Sequence, residues 1–439
     1  MDKFNELRSR YDTFIYESMH IDRKGFSFLF RIGEYQFRPT WSWNRLKLPR
    51  TINRKLVEYI VFSIGMVELV SYWKCACPPR VIVKCGALNA EQIQWWKKLY
   101  WNGLGEFFYR NGISTGFDSF MTIECANSDV PSFSDMYRGN RCGAVIPVGG
   151  GKDSIVTLEL LKKTRRSNYC FIINPRKTTV GCAHTAGYGD DRIIGFNRTI
   201  DPELLKRNAD GWLNGHTPFS AIVAFSSYLA AVISGRKYIA LSNESSANEG
   251  NVSGSTVNHQ YSKSTEFERD FREYCDKWFI PSPEYFSLLR PWTEYQITQR
   301  FVKYPQYFPV FRSCNAGSKK DAWCCNCAKC LYVYIMLAAF INDKQLKKIF
   351  GKNMLDDESH QELFNALADP DLDKPFECVG TRAEIRLALH CAVEQRLHLK
   401  MPVLLKKYMK TNFTRPPELD DHFDNDNFVP GELIGLLKG

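Results

Sequence analysis

A run of three glycines between an apolar strand and an apolar helix is what most limits the folds open to this chain. Residues 143–163 read GAVIPVGGGKDSIVTLELLKK. Residues 143–148 are a short apolar run, Gly149, Gly150 and Gly151 follow, and Ile155, Leu158 and Leu161 recur at helical spacing. The pattern predicts a strand, a tight turn and a helix. Glycine lets the backbone turn sharply and lets a ligand come close. The first helical turn adds free N–H groups and a partial positive charge, which suit a phosphate.

Two common phosphate loops do not fit. A Walker loop needs Ser or Thr after GK, and here Asp153 follows Lys152. A dinucleotide fingerprint needs a third glycine where Ser154 stands. The stretch resembles instead the pyrophosphate (PP) loop, S-G-G-x-D-S, of enzymes that split ATP between its α and β phosphates. Gly150, Gly151, Lys152, Asp153 and Ser154 match that pattern, and Gly149 stands where the family usually has Ser. The plain alternative is a glycine turn that opens a helix and binds nothing.

Around this loop the chain alternates. Strands are expected over residues 169–174, 192–197 and 237–242, with a short helix after Pro175 and a longer one from Thr217 and Pro218 to Ser234. Alternation of this kind implies a parallel sheet with right-handed crossovers. Ligands of such sheets sit at the carboxyl ends of the strands, which puts the glycine loop, Asn174, Asn243 and Glu244 on one rim. Residues 1–140 read as a separate α+β domain. It has strands over 26–30, 35–37 and 80–84, a helix over 53–72, and a second, aromatic-rich helix over 90–110 capped by Asn89. Its aromatic stripe reads as packing. The stretch near residues 128–140 reads as a linker, and the acidic stretch 419–428 as a solvated face.

Composition narrows the class. The chain has 439 residues, 44% hydrophobic and 24% charged, enough for two domains and a sizeable core. The net charge of +10 is diffuse and suits an anionic partner. The opening residues lack an apolar signal region. The apolar stretch 57–73 carries Glu58 and Glu68 and reads as a buried helix, not a membrane span. The 15 cysteines, an odd number, point to a reducing compartment, with thiols and room for a metal site instead of a disulfide framework.

Three constellations carry chemistry. In FRSCNAGSKKDAWCCNCAKC, Cys314, Cys324, Cys327 and Cys330 have spacing that suits a tetrahedral structural Zn²⁺, with Cys325 as an extra. The arrangement resembles the zinc site of the deazaguanine nitrile synthase of queuosine biosynthesis. An iron–sulfur cluster and free buried thiols are the alternatives. The polar loop after residue 241 holds Asn243, Glu244, Asn248, Asn251, His259, Lys263 and Glu266, suited to substrate or Mg²⁺ or to plain solvation. His216 precedes a helix N-terminus, where it would meet an anion or act as a cap. Arg290 at a strand end would pair with a phosphate or carboxylate.

Taken together, VGGGKDS, LNGHTP, SNESSANEGN, VNHQYSKS, YFSLLRP, the Cys run, KPFECVG, SYWK and KLYWNGLGEFFYRN resemble the MurL family, UDP-MurNAc-L-alanyl-L-glutamate epimerases of peptidoglycan synthesis. The resemblance covers nearly the whole chain in order. It implies an α/β fold: a parallel-sheet adenine-nucleotide α-hydrolase-like (PP-loop) domain over 141–400, after an α+β domain over 1–140 and before a tail over 401–439. It also implies a cytoplasmic isomerase. The terminal L-glutamate of the UDP-MurNAc-dipeptide would become D-glutamate as ATP gives AMP and diphosphate, with no nucleic acid or membrane partner.

Chemistry makes that expectation coherent. Removing the α-proton of a carboxylate puts two negative charges side by side, and forming an acyl-adenylate removes the first. Gly149, Gly150, Gly151, Asp153 and Ser154, with Asn174, His216, Asn243 and Glu244, are the expected ATP and Mg²⁺ residues, and Lys152 would neutralise the diphosphate. His259, Lys263, Glu266 and Cys378 are the candidates for the proton transfers. The competing classes are a PP-loop enzyme of RNA thiolation, an ATP-dependent amide ligase, and a nucleotide-binding protein without activity.

Overall fold

Among the described residues, eleven strands form one mixed sheet. They are β1 (Thr13–Ile21), β2 (Gly25–Ile32), β3 (Tyr35–Phe37), β4 (Thr40–Asn44), β5 (Arg80–Val83), β6 (Thr122–Cys125), β7 (Ala144–Pro147), β8 (Tyr169–Ile173), β9 (Ile193–Thr199), β10 (Tyr238–Leu241) and β11 (Glu284–Ser287). The order is β11-β10-β7-β8-β9-β4-β2-β1-β5-β6, with β3 on β2. The computed structural model describes residues 2–44, 46, 48–50, 52–134, 142–164, 166–250, 258–317, 320–411 and 414–438.

β11, β10, β7, β8 and β9 run parallel, as alternation predicts. At β9 the sheet does not stop. β4 pairs with it antiparallel from Thr40↔Thr199 to Asn44↔Gly195, and β2 and β1 follow antiparallel. β5 and β6 then run parallel to β1. The division expected near residue 140 therefore does not separate two sheets. β1, β4 and β6 escaped sequence reading, and β2 runs longer than expected. The far end of the expected linker, residues 135–140, lies outside the described residues, as does Asn251.

Neighbouring residues on the strands face opposite cores. Val145, Phe171, Ile239 and Tyr285 join one cluster, whereas Ile146, Cys170, Ala240 and Phe286 join the other. The first cluster takes up helices Arg54–Trp73, Ala90–Gly103, Phe219–Ser234 and Thr265–Trp278. The second takes up Lys152–Lys162, Ala328–Ala338 and Arg382–Glu394. The result is a helix–sheet–helix sandwich.

Helix Arg54–Trp73 is the one helix among the described residues long and apolar enough to cross a membrane, and 94% of its apolar window is buried here. The helix expected over 90–110 is two, Ala90–Gly103 and Gly105–Arg110. At Gly103 the chain passes so near Pro218 that a Cβ would lie 2.8 Å from its ring. The acidic stretch 419–428 is docked through its backbone, with Gln296 Nε2 donating to the carbonyls of Asp420 and His422 and Asp424 N to Pro291 O, while Asp420, Asp421 and Asp426 are exposed.

Candidate functional site

The glycine bend follows β7 and opens helix Lys152–Lys162, with Gly151 as its N-cap. Gly150 has φ +86°, the left-handed region, and a Cβ there would meet the Thr178 methyl at 2.9 Å. Its carbonyl accepts from Arg312 N at 2.8 Å. A Cβ on Gly151 would lie 2.6 Å from Ser313 Oγ, and Ser154 Oγ donates to Gly151 O at 2.9 Å. The bend is thus held between Thr178 and residues 312–313. Around Gly149, by contrast, an added Cβ would meet nothing within 4 Å.

A cavity of about 290 Å³ lies against this bend. Gly149, Gly151, Asp153, Ser154, Asn243, Glu244, Lys263 and Cys378 all line it. Arg176, Ser242, Arg312, Ser313 and Lys329 line it too, and none of these was singled out from sequence. Among the described residues, Ser242 Oγ and Arg312 Nε are buried with no hydrogen-bond partner. Burial pushes the Glu244 carboxyl up, with Lys263 pulling the other way. Burial also works against Asp153, but Lys152 beside it holds its carboxyl below the ordinary value.

Lys152 does not serve the cavity. Its ammonium is buried between Glu294 and Asp153 and is spent on them, which corrects the expectation that it faces a diphosphate. Asn174 is also used locally. It sits at φ +52° past β8, its Oδ1 accepts from Arg198 N at 2.7 Å, and it is exposed and outside the cavity lining. Glu266 is on the surface, paired with Lys98 at 2.8 Å, so it does not join the proton-transfer groups. Arg290 is fully buried. It bonds Glu268 at 3.0 Å and the carbonyls of Glu244 and Lys263, so it fixes the backbone of two cavity residues and does not itself line the cavity.

From Cys378, which lines the cavity, a line of polar groups runs on to residues outside the lining. Cys378 lies beside His259 and Lys263, close enough for both to act on its charge, and Lys329 Nζ donates to its carbonyl. His259 Nδ1 in turn meets Glu106 Oε2, and Glu106 also holds Arg110 at 2.7 Å. His216 does not face the cavity. Its ring lies 4.2 Å from that of His259, with Nδ1 3.6 Å from Glu106.

The charges follow from these contacts. Burial alone would raise the Cys378 thiol, but Lys263 and His259 bring it down to about 6. Burial works against a charged His259, yet Cys378 and Glu106 lift it to about 9. Burial, with His259 adding to it, drives His216 down to about 3. These contacts therefore favour a thiolate beside an imidazolium. Glu106 escaped sequence reading because it sits inside the aromatic stripe GEFFYR. A buried acid next to two phenylalanines on that helix was the signal available.

The cysteine cluster borders the same cavity, which Cys314 and Asn315 help to line. Thiolates about 2.3 Å from a tetrahedral zinc stand about 3.8 Å apart. Here Cys314–Cys327 and Cys324–Cys330 are 4.0 and 3.7 Å apart, and all four sulfurs lie within 4.8 Å of one another. Gly317 N donates to Cys314 Sγ at 3.0 Å, as backbone amides do towards ligating thiolates. The donor set fits zinc. Cys325 turns away, at φ +53°, with its Sγ on Phe350 O at 3.3 Å.

Comparison with known proteins gives two family matches, the MurL N-terminal domain over residues 5–288 and the MurL C-terminal domain over residues 310–421. The first contains every strand of the sheet, and the second contains the cysteine cluster and Cys378. A UDP-N-acetyl-alpha-D-muramoyl-L-alanyl-L-glutamate epimerase of Xanthomonas oryzae pv. oryzae is 33% identical over 82% of this chain and 79% of its own length. Proteins of the same name from a Micromonospora species and from Salinispora tropica are 32% and 31% identical over 91% of this chain, and over 91% and 89% of their own lengths. No solved structure matches.

Proposed function

This chain belongs to the MurL family, and from that premise we propose that it is the epimerase that converts the terminal L-glutamate of UDP-MurNAc-L-Ala-L-Glu to D-glutamate, a cytoplasmic step of peptidoglycan precursor synthesis. ATP, when bound, supplies the adenylyl group that turns the substrate carboxylate into a carboxyl adenylate, leaving AMP and diphosphate as products. The observation that carries this reading is one cavity with two kinds of wall. One wall is a glycine bend at a helix N-terminus with the unpaired Arg312 Nε beside it, and the other holds a thiolate and a lysine.

The N–H groups of the bend and the Arg312 guanidinium hold phosphate oxygens. Asp153 and Glu244, two of the three cavity carboxylates with Asp321, would hold Mg²⁺. Cys314, Cys324, Cys327 and Cys330 would hold Zn²⁺, which would fix the backbone of residues 312–315 against the bend. Arg290 supports the opposite side through the Glu244 and Lys263 carbonyls. Lys263 and Lys329 place positive charge where the enolate of the substrate develops.

Purified protein incubated with UDP-MurNAc-L-Ala-L-Glu, ATP and Mg²⁺ is expected to yield the D-glutamyl isomer together with AMP and diphosphate. D-isomer formed equally without ATP would remove the adenylation step. No D-isomer under any condition would remove the function.

A further inference from the structure

The groups in the cavity leave few choices for the atom that accepts the α-proton. His259 stands between Glu106 and Cys378, is not among the cavity-lining residues, and carries a proton already. Lys263 is held as an ammonium: burial works against its charge, but Cys378 and Glu244 beside it outweigh that. Asp153 is tied to Lys152. Glu244 lies near the glycine bend with its backbone clamped by Arg290. Cys378 lines the cavity beside Lys263 and Lys329, and these neighbours with His259 favour its thiolate.

We propose that Cys378 is the catalytic base that takes the α-proton from the substrate's terminal glutamyl residue, and that Glu106 is a positioning residue acting through His259. The proposal rests on the epimerase reading above. The Cα–H bond breaks, its proton passes to Cys378 Sγ, and its electron pair moves into the adjoining acyl carbonyl as an enolate. A new C–H bond then forms on the other face with a proton from an ammonium lining the cavity, Lys263 or Lys329. No electron is gained or lost, and the Cys378 proton returns to the lysine through solvent. The imidazolium of His259 keeps the thiolate paired, and Glu106 keeps the imidazole charged and turned towards sulfur. Glu106 comes from helix Gly105–Arg110, far from Cys378 in sequence, so the base is complete only when both ends of the chain are in place.

The test uses the full chain in deuterium oxide with UDP-MurNAc-L-Ala-L-Glu and ATP. Cys378→Ala and Cys378→Ser are each expected to lose deuterium entry at Cα by at least about 100-fold, the size of a missing general base, while ATP–diphosphate exchange persists. Wild-type deuterium entry in either folded variant overturns the proposal. Absence of both exchange and epimerisation in the wild type overturns the functional reading instead, and the proposal with it.

Iodoacetamide alkylation supplies a readout that needs no substrate. Cys378 in the wild type should react with a pH midpoint near 6, set by Lys263, His259 and Lys329 around it. Glu106→Gln should move that midpoint upward by at least about one pH unit, toward that of a free thiol. An unchanged midpoint overturns the role of Glu106, and a wild-type midpoint above 8 overturns that of Cys378.

Discussion

Replacing Lys152 by Met separates two roles for one ammonium group. Sequence alone set Lys152 against a leaving diphosphate. The structure sets its Nζ between Glu294 and Asp153, with the side chain 2% exposed. Removing one partner of a buried ion pair costs about 3–5 kcal/mol, because the other charge stays behind in a poorly solvating site. For 439 residues at about 2.1 cal/mol/K each, the unfolding entropy is about 0.9 kcal/mol/K, so the melting temperature should drop by about 3–5 °C.

The pH dependence gives this cost a sign. Burial and the neighbouring Asp153 push the Glu294 carboxyl up from 4.5 to about 7. Between these values the folded chain keeps a proton that the unfolded chain has released. The contribution of Glu294 to stability is therefore full at low pH and is lost as pH rises through 7. Without Lys152 this carboxyl rises further, so the loss in Lys152→Met should be larger at pH 8.5 than at pH 6, by at most about 1.4 kcal/mol per unit. Adding Glu294→Gln should restore more than half of it. Calorimetry at both pH values measures all three chains. A Lys152→Met protein that melts with the wild type at both pH values yet makes no AMP would refute this reasoning and return Lys152 to the phosphates.

Gly150→Ala should lower AMP formation at least about tenfold, since a left-handed non-glycine residue costs about 1–2 kcal/mol and its Cβ would press on Thr178. Gly149→Ser, into open space, should keep the wild-type rate of AMP release. Cys324→Ser or Cys327→Ser should reduce bound zinc from one equivalent to well below half by elemental analysis, with a lower melting temperature, and full zinc in both variants would argue against a four-sulfur site. Glu266→Ala should leave epimerisation and melting unchanged within error, because its contact with Lys98 is a surface ion pair.

Local features were the legible ones. The glycine bend announced itself because a strand, three glycines and a helix are contiguous, and the cysteine cluster because its ligand spacing is short. The loop from Asn243 to Lys263 was readable as polar chain after a strand. What stayed hidden depends on residues brought together from far apart. Lys152 meets Glu294 across 142 positions and His259 meets Glu106 across 153. Arg312 and Ser313 looked like mere lead-in to Cys314, yet they press on the bend. The β4–β9 pairing was invisible for the same reason, since β4 is five residues long and its partner lies far downstream.

That pairing has a consequence for how the molecule can be taken apart. Five residue couples, Thr40↔Thr199 to Asn44↔Gly195, stitch the early strands to the late ones. Were the early and late segments parted, each would carry a raw strand margin with unsatisfied amides, an invitation to stick to itself or to anything extended. Neither portion has a natural stopping surface there. The first strands are thus not an accessory mounted on a finished catalyst but one bank of the same river, and a helix rooted on that bank delivers the carboxylate that steadies the imidazole on the other.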